Sequence, residues 1–356
     1  MASSNATSHK CSSRAAGPVP FKDFEDDVLH QVPERTSPED HDALVSSLPS
    51  TVLPGVQLFK LRLYQGFWLH ERLVPGAVAL QQRFEPRPDD VVVASMPKCG
   101  TTWLIALTFA AMARRAYPPA GADHPLLRLN PHHVAPFMDL FFAQGREAVL
   151  DALPSPRLMF THMPLAMLPR AAPPASSGAG AGGGGCRVVY ICREPKDMAV
   201  SLWHFRRVLC PELSFADTFE SFCAGRSSGP FWDHILGYWR ASAATPDNVL
   251  FLRYEELLRD PADNVRKLAR FVGLPFSDAE EEAGVVHAIV ELCNLDNMRS
   301  LEANKSGHLP YINFPNKSLF RKGVAGDWVN HMTPEMARRM DDIVAEKFRG
   351  TGLTFP

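Results

Sequence analysis

The sequence predicts an α/β fold: a single domain with a central parallel sheet flanked by helices. Three observations carry that expectation. Short, continuous apolar runs have the look of strands covered on both faces. These runs alternate with segments of helical period, which requires crossover connections between parallel strands. Finally, 46% of the residues are hydrophobic and 10% aromatic, enough to bury a substantial core and to exclude a disordered chain.

Residues 1–55 are rich in Ser, Pro, Asp and Glu and read as a weakly ordered lead-in, with the folded domain expected over 56–356. From Val56 the composition turns apolar and aromatic, as in LFKLRLYQGFWLH. Val91–Ser95 (VVVAS) is the first strand expected in the parallel sheet. A helix follows over 101–115, with Trp103, Leu107, Ala110 and Ala111 at helical spacing and Arg114 and Arg115 at its end. Leu158–Thr161 and Val188–Cys192 are the next strands. Between them, 171–185 (AAPPASSGAGAGGGG) has no side chains able to build a core and reads as a flexible surface insertion. Pro195 and Asp197 supply start signals for a helix over Asp197–Arg207. Asn248–Tyr254 is the fourth strand, leading into EELLRDPADNVRKLARFVGL, where Gly273 and Pro275 form a stop signal.

Charge and cysteine usage narrow the function classes. Lys and Arg number 37 against 39 Asp and Glu, a net charge of −2, which excludes a generic basic nucleic-acid binder. The seven cysteines are scattered and form no CxxC pair, so neither a disulfide framework nor a zinc knuckle is expected. The N-terminal residues lack the apolar core of a signal peptide, and the apolar stretch near Leu104–Ala113 is short of the roughly 20 residues a membrane span needs. A soluble cytoplasmic protein with no membrane partner is the expectation. The sequons at Asn5, Asn304 and Asn316 are then expected to carry no glycan.

In parallel sheets ligands gather where the carboxyl ends of strands meet helix N-termini. After the first strand comes Met96-Pro97-Lys98-Cys99-Gly100-Thr101-Thr102-Trp103. Gly100 allows close backbone approach, Thr101 and Thr102 add hydroxyls at the positive end of a helix, and Lys98 adds a cation: a phosphate cradle. It is not a Walker A loop, because the lysine precedes the single glycine. Arg193, at the end of the third strand, and Ser201, on the next helix, form a second anion-ready pair. Phe320-Arg321-Lys322-Gly323-Val324-Ala325-Gly326-Asp327-Trp328 is a third. Three such loops point to a ligand with more than one phosphate. The second strand ends in Thr161-His162-Met163-Pro164, which sets a histidine, the natural general base near neutral pH, where substrate would sit.

PKCGTTW, THMP, ICREPKDMAVS and FRKGVAGDW, in this order and spacing, resemble the cytosolic sulfotransferases, especially the plant branch. The resemblance runs from about Phe67 to Met336 and implies an α/β domain with a P-loop-like phosphosulfate-binding loop. It also implies transfer of a sulfonate group from 3′-phosphoadenosine 5′-phosphosulfate (PAPS), as co-substrate and without a metal, to a hydroxyl of a small organic acceptor. By that likeness Lys98, Cys99, Gly100, Thr101, Thr102 and Trp103 form the 5′-phosphosulfate loop, with Trp103 also against adenine. Arg193, Ser201, Arg321, Lys322 and Gly323 hold the 3′-phosphate, and Tyr254 contacts adenine. Transfer is in line: Lys98 neutralises charge on the leaving phosphate and His162 takes the acceptor's proton.

Departures from the family pattern are Cys99 where serine is common and Cys293-Asn294-Leu295 where Ser-Phe touches adenine. At His331-Met332-Thr333-Pro334-Glu335 the animal dimer motif is not matched, so a monomer is expected. Leu63–Trp68 and Pro136–Phe142 are candidates to line an apolar acceptor pocket, and flavonoids, steroid-like hormones and hydroxyjasmonates all remain open as acceptors. A kinase or nucleotide hydrolase would need a glycine-lysine-serine/threonine loop and an acidic metal ligand at another strand end, which neither Ser95 nor Tyr254 supplies. An inactive nucleotide-binding relative would be favoured by loss of Lys98 or His162, and both are present.

Overall fold

A computed structural model describes residues 17–28, 41–53, 56–168, 185–310 and 313–355. The glycine-rich stretch 171–184 and the sequon at Asn5 lie outside the described residues. Four parallel strands form the centre: β4 (Val91–Ser95), β5 (Leu158–Thr161), β6 (Arg187–Cys192) and β7 (Val249–Arg253), in the spatial order β5-β4-β6-β7. The expected strands therefore form, with ends shifted by a residue. Tyr254 leaves the fourth strand and opens a helix instead.

All five β4 residues are buried, and their alternation divides the core. Val92 and Ala94 face one cluster with Val188, Tyr190 and Cys192, while Val91 and Val93 face the other with Val189, Ile191, Leu250 and Leu252. This two-sided burial is why the strands read as continuous apolar runs. The register pairs Ala94 with Thr161, Ser95 with Ile191, and Cys192 with Arg253. The carboxyl ends of the strands thus finish along one edge. The chain leaves β4 to one side to make β5, then crosses back to its other side to make β6. The crevice produced by such a reversal is where α/β folds bind ligands.

The fold starts upstream of the expected boundary at residue 56. Within the expected lead-in, α1 (Phe21–Val28) inserts Phe21, 2% exposed, edge-on against Phe141 at 5.2 Å. Next come α2 (Asp42–Ser47) and β1 (Ser50–Leu53), which pairs antiparallel with β2 (Val56–Tyr64), itself paired with β3 (Phe67–His70). The β2–β3 turn is Gln65-Gly66, with φ of 47° and 86°, the two left-handed residues that a tight hairpin requires. α3 (Val74–Arg83) then returns the chain to β4.

Between β4 and β5 run α4 (Thr101–Ala113), α5 (Pro131–Val134), α6 (Met138–Ala143) and α7 (Glu147–Ala152). Between β6 and β7 run α8 (Pro195–Arg206), α9 (Phe215–Cys223) and α10 (Phe231–Ala244). After β7 the helical stretch read from the sequence divides into α11 (Tyr254–Arg259) and α12 (Pro261–Phe271). The break has a local cause: Pro261 cannot continue the ladder, and Asp260 caps the new helix by accepting from the Asp263 amide at 3.0 Å. Among the described residues no helix is long and apolar enough to cross a membrane. Two of the sequons are structural: Asn304 and Asn316 are 2% exposed, and their amides bond the carbonyls of Met298, Ala303 and Ser306.

Candidate active site

The loop from β4 to α4 is tightly wound. Lys98 has φ 73° and Gly100 φ 104°, so the chain reverses within a few residues and presents the N-terminus of α4 to solvent-accessible space. A side chain on Gly100 has no room, since its Cβ would lie 2.8 Å from Tyr254 Cδ2. Ser95 and Thr101 tie the two ends together through their hydroxyls at 2.6 Å. Lys98 Nζ sits 4.3 Å over the ring of Phe205, on α8. Burial, reinforced by repulsion from Arg193 and Arg321, lowers the Lys98 pKa to about 7. Cys99 turns the other way. It is fully buried with Sγ 3.1 Å from Met198 Sδ, and its side chain does not reach the cleft.

The second expected site begins where β6 gives way to α8. Glu194 caps that helix, accepting from the Asp197 amide at 2.9 Å. Arg193, 6% exposed, lays its guanidinium 4.5 Å over the ring of Tyr254 and donates from Nη2 to the Val324 carbonyl at 2.8 Å. Its buried Nε has no hydrogen-bond partner among the described residues. Tyr254 in turn meets Trp103 edge-on at 5.8 Å.

The third site is brought to the second by Asp197. Its carboxylate, 1% exposed on its side chain, accepts from the amides of Gly326 at 2.7 Å and Trp328 at 2.9 Å and lies 3.6 Å from Arg193 Nη2. The segment around residue 325 is thus clipped to a helix about 130 positions earlier. Within it Asp327 pairs with Arg321 at 2.5 Å and Lys322 at 2.6 Å, and these contacts hold its pKa well below the usual carboxylate range. Gly323 has φ 66°, and a Cβ there would run into the Leu295 side chain.

His162 is held on three sides. Its backbone N–H donates to Asp139 Oδ2 at 3.0 Å, and its carbonyl lies 3.2 Å from His234 Nε2, whose other ring nitrogen is 3.0 Å from Tyr190 Oη. Its own Nδ1 lies 2.9 Å from the Ser95 carbonyl oxygen. Asp139 also accepts from the Thr161 hydroxyl. Burial lowers the His162 pKa to about 4 and raises that of Asp139 to about 7. The ring is therefore neutral at ordinary pH.

These groups share one cleft of about 1030 Å³. Its walls include Lys98, Gly100, Thr101, Thr102, Trp103, His162, Arg193, Ser201, Tyr254, Arg321, Lys322 and Gly323, which is every site residue expected from the sequence except Cys99. Asn294 and Leu295 line it too, whereas Cys293 is buried in the core. The two stretches proposed for an acceptor pocket fare differently. From Pro136–Phe142 only Phe137 and Leu140 reach the wall, because Met138, Phe141 and Phe142 point into the core. From Leu63–Trp68 none does. The strand neighbours Leu61 and His70 line the cleft in their place, since the hairpin turn carries Gln65 and Gly66 to the surface.

Sequence reasoning missed His132, Phe160 and Phe205. Phe160 stacks on Phe137 at 4.8 Å, and Phe137 meets His162 edge-on at 5.3 Å. Phe205 stacks on Phe314 at 3.9 Å. The available signal was position: Phe160 precedes Thr161-His162, and Phe205 lies one helical turn beyond Ser201.

Residues 88–352 match the sulfotransferase domain profile. The chain belongs to the cytosolic sulfotransferase family. It is 43% identical over 325 residues to cytosolic sulfotransferase 5 of Arabidopsis thaliana, covering 89% of this chain and 97% of the relative. To cytosolic sulfotransferase 6 of the same plant it is 42% identical over 328 residues, covering 89% and 95%. A solved Arabidopsis sulphotransferase with a provisional steroid assignment superposes with a TM-score of 0.67 at 35% identity, covering 92% of this chain and all of that one. A mouse sulfotransferase solved with 3′-phosphoadenosine 5′-phosphate (PAP) gives 0.60 at 27%, covering 82% and 95%. This sulfotransferase is therefore an enzyme of sulfonate transfer, and its expected fold and family both stand.

Proposed function

We propose that this sulfotransferase carries a sulfonate group from PAPS to the hydroxyl of a small organic acceptor, with His162 as general base and Lys98 facing the leaving phosphate. The observation that carries this reading is that Lys98, Arg193, Arg321, Lys322 and His162 all line one cleft. The residues fit a doubly phosphorylated nucleotide. Among the described residues the buried Nε of Arg193 has no hydrogen-bond partner, Gly100 leaves the backbone bare at the N-terminus of α4, and Lys98, Arg193, Arg321 and Lys322 line the same space.

Lys98 and the first turn of α4, with Thr101 and Thr102, would hold the 5′ end. Arg193, Ser201, Arg321, Lys322 and Gly323 would hold the 3′-phosphate, with Trp103 and Tyr254 beside the adenine. Cys99 contributes backbone alone. When bound, PAPS supplies an activated sulfonate. The protein's own part is then a proton and a charge. His162 Nδ1 carries a proton because the Ser95 carbonyl can only accept, which leaves the Nε2 lone pair to take the acceptor's proton. Lys98 is fixed over Phe205, where burial strengthens its attraction for a developing negative charge.

The acceptor end of the cleft is aromatic and aliphatic, lined by Phe137, Phe160, Phe205 and Phe314, which suits a lipophilic alcohol or phenol. We read the enzyme as a cytoplasmic monomer that needs no metal. Relatives are named cytosolic, and the animal dimer motif is not matched at His331–Glu335. The test is a screen of hydroxylated metabolites with labelled PAPS, run with and without a chelator. Transfer that survives chelation supports the reading, and transfer that stops with the chelator contradicts the metal-free mechanism.

A further inference from the structure

One contact in the cleft has no part in the roles assigned above. Thr102 Oγ1, in the first turn of α4, lies 2.9 Å from His132 Nε2. His132 is 8% exposed and firmly seated. Its amide donates to the Asn130 side chain at 3.0 Å at the start of α5, and its ring stands edge-on to Phe160 at 5.0 Å. Both residues line the cleft. Burial, with repulsion from His162 and Lys98, lowers the His132 pKa to about 3, so the ring is neutral and close to the reacting end.

A threonine hydroxyl has one proton and two lone pairs. If it gives that proton to an imidazole nitrogen, only its lone pairs are left to face an anion. If it accepts from an imidazole N–H, its own proton is free for the anion. An anion at the α4 N-terminus therefore selects the ring tautomer protonated at Nε2.

We propose that His132 is a positioning residue that donates from Nε2 to Thr102 Oγ1 and thereby aims the Thr102 hydroxyl at the 5′-phosphate end of the nucleotide. This rests on the PAPS reading above. It also divides the two cleft histidines by chemistry. His162 keeps an Nε2 lone pair for a proton, while His132 directs its Nε2 proton to Thr102 and offers no lone pair on that nitrogen.

The experiment is a mutant cycle read by PAP titration calorimetry and by steady-state kinetics with PAPS. Thr102→Val and His132→Phe should each weaken PAP binding and raise the KM for PAPS by about tenfold, the loss of one charge-assisted hydrogen bond. The acceptor KM and the acid limb of the pH profile should not move. The double variant should bind PAP no worse than Thr102→Val alone. His132→Gln, whose amide N–H can stand in for the ring donor, should recover most of the affinity. Additive losses in the double variant, a glutamine variant as weak as phenylalanine, or an acid limb that disappears with His132 would each overturn the proposal. Failure of the unaltered enzyme to bind PAP would instead remove the PAPS reading. Should His132→Phe not fold, Thr102→Val and His132→Gln with their double variant complete the same cycle.

Discussion

His162 Nδ1 lies 2.9 Å from the carbonyl oxygen of Ser95, so the strand that begins the nucleotide loop also sets the tautomer of the proposed base. A carbonyl can only accept, so the ring proton sits on Nδ1 and the lone pair on Nε2. Ser95 also bonds Thr101 through its hydroxyl, which couples the base to the first residue of α4.

His162→Ala should therefore abolish turnover while leaving PAP affinity within about twofold, because no phosphate-facing cation is altered. Initial rates and calorimetry on the same preparation check it. A variant that loses PAP binding as well would show that the ring supports the loop rather than the chemistry.

The pH profile of kcat/KM for PAPS should show two limbs. The Lys98 pKa is lowered to about 7, so the free enzyme loses this charge as pH rises through that value and nucleotide capture falls. The His162 pKa is lowered to about 4, so the base is lost only when pH falls through that value. Because a bound phosphate favours charged Lys98, binding near pH 8 should take up about one proton, measurable in buffers of different ionisation enthalpy. Lys98→Arg should erase the alkaline limb.

Gly100→Ala adds a methyl group where φ is 104° and Tyr254 Cδ2 stands 2.8 Å away. The left-handed backbone alone costs about 1–2 kcal/mol, and the clash adds to it. A fall in Tm of roughly 2–4 °C per kcal/mol is expected, with weaker PAP binding. An unchanged Tm and affinity would show that the loop can move away from Tyr254.

Asp197→Ala removes the clip between α8 and the basic C-terminal loop. It strands the amides of Gly326 and Trp328 and takes a counter-charge from Arg193. PAP affinity should fall at least tenfold, with a stability loss of about 2–4 kcal/mol, while the acceptor KM holds. Equal losses in both KM values would mean general unfolding of the cleft.

The parallel sheet was legible because its strands are buried on both faces: Val91–Ser95 has no polar alternation to confuse with helix or turn. The β1–β3 sheet was not read. Its turn is Gln65-Gly66 rather than a stronger asparagine-glycine signal, and β1 has only four residues. Phe21 was missed because its segment, FKDFEDDV, is short and more than half charged, with two aromatics that read as part of a polar lead-in, yet Phe21 fills a place beside Phe141. Within the site, Lys98, His162 and Arg193 could be read because each follows the end of a strand, and Arg321 and Lys322 because two adjacent cations stand between an aromatic and glycines. Asp139, His132 and Asp197 could not. Their importance lies in contacts across 23, 30 and about 130 positions, which local sequence does not encode.

The most direct measurement is calorimetric titration of the purified enzyme with PAP and, separately, with ATP plus magnesium, repeated on Arg193→Ala. The account predicts that PAP binds more tightly than ATP and that the arginine variant loses most of that preference. Tighter binding of ATP, or a PAP affinity indifferent to Arg193, would contradict a cleft built for a 3′-phosphorylated nucleotide.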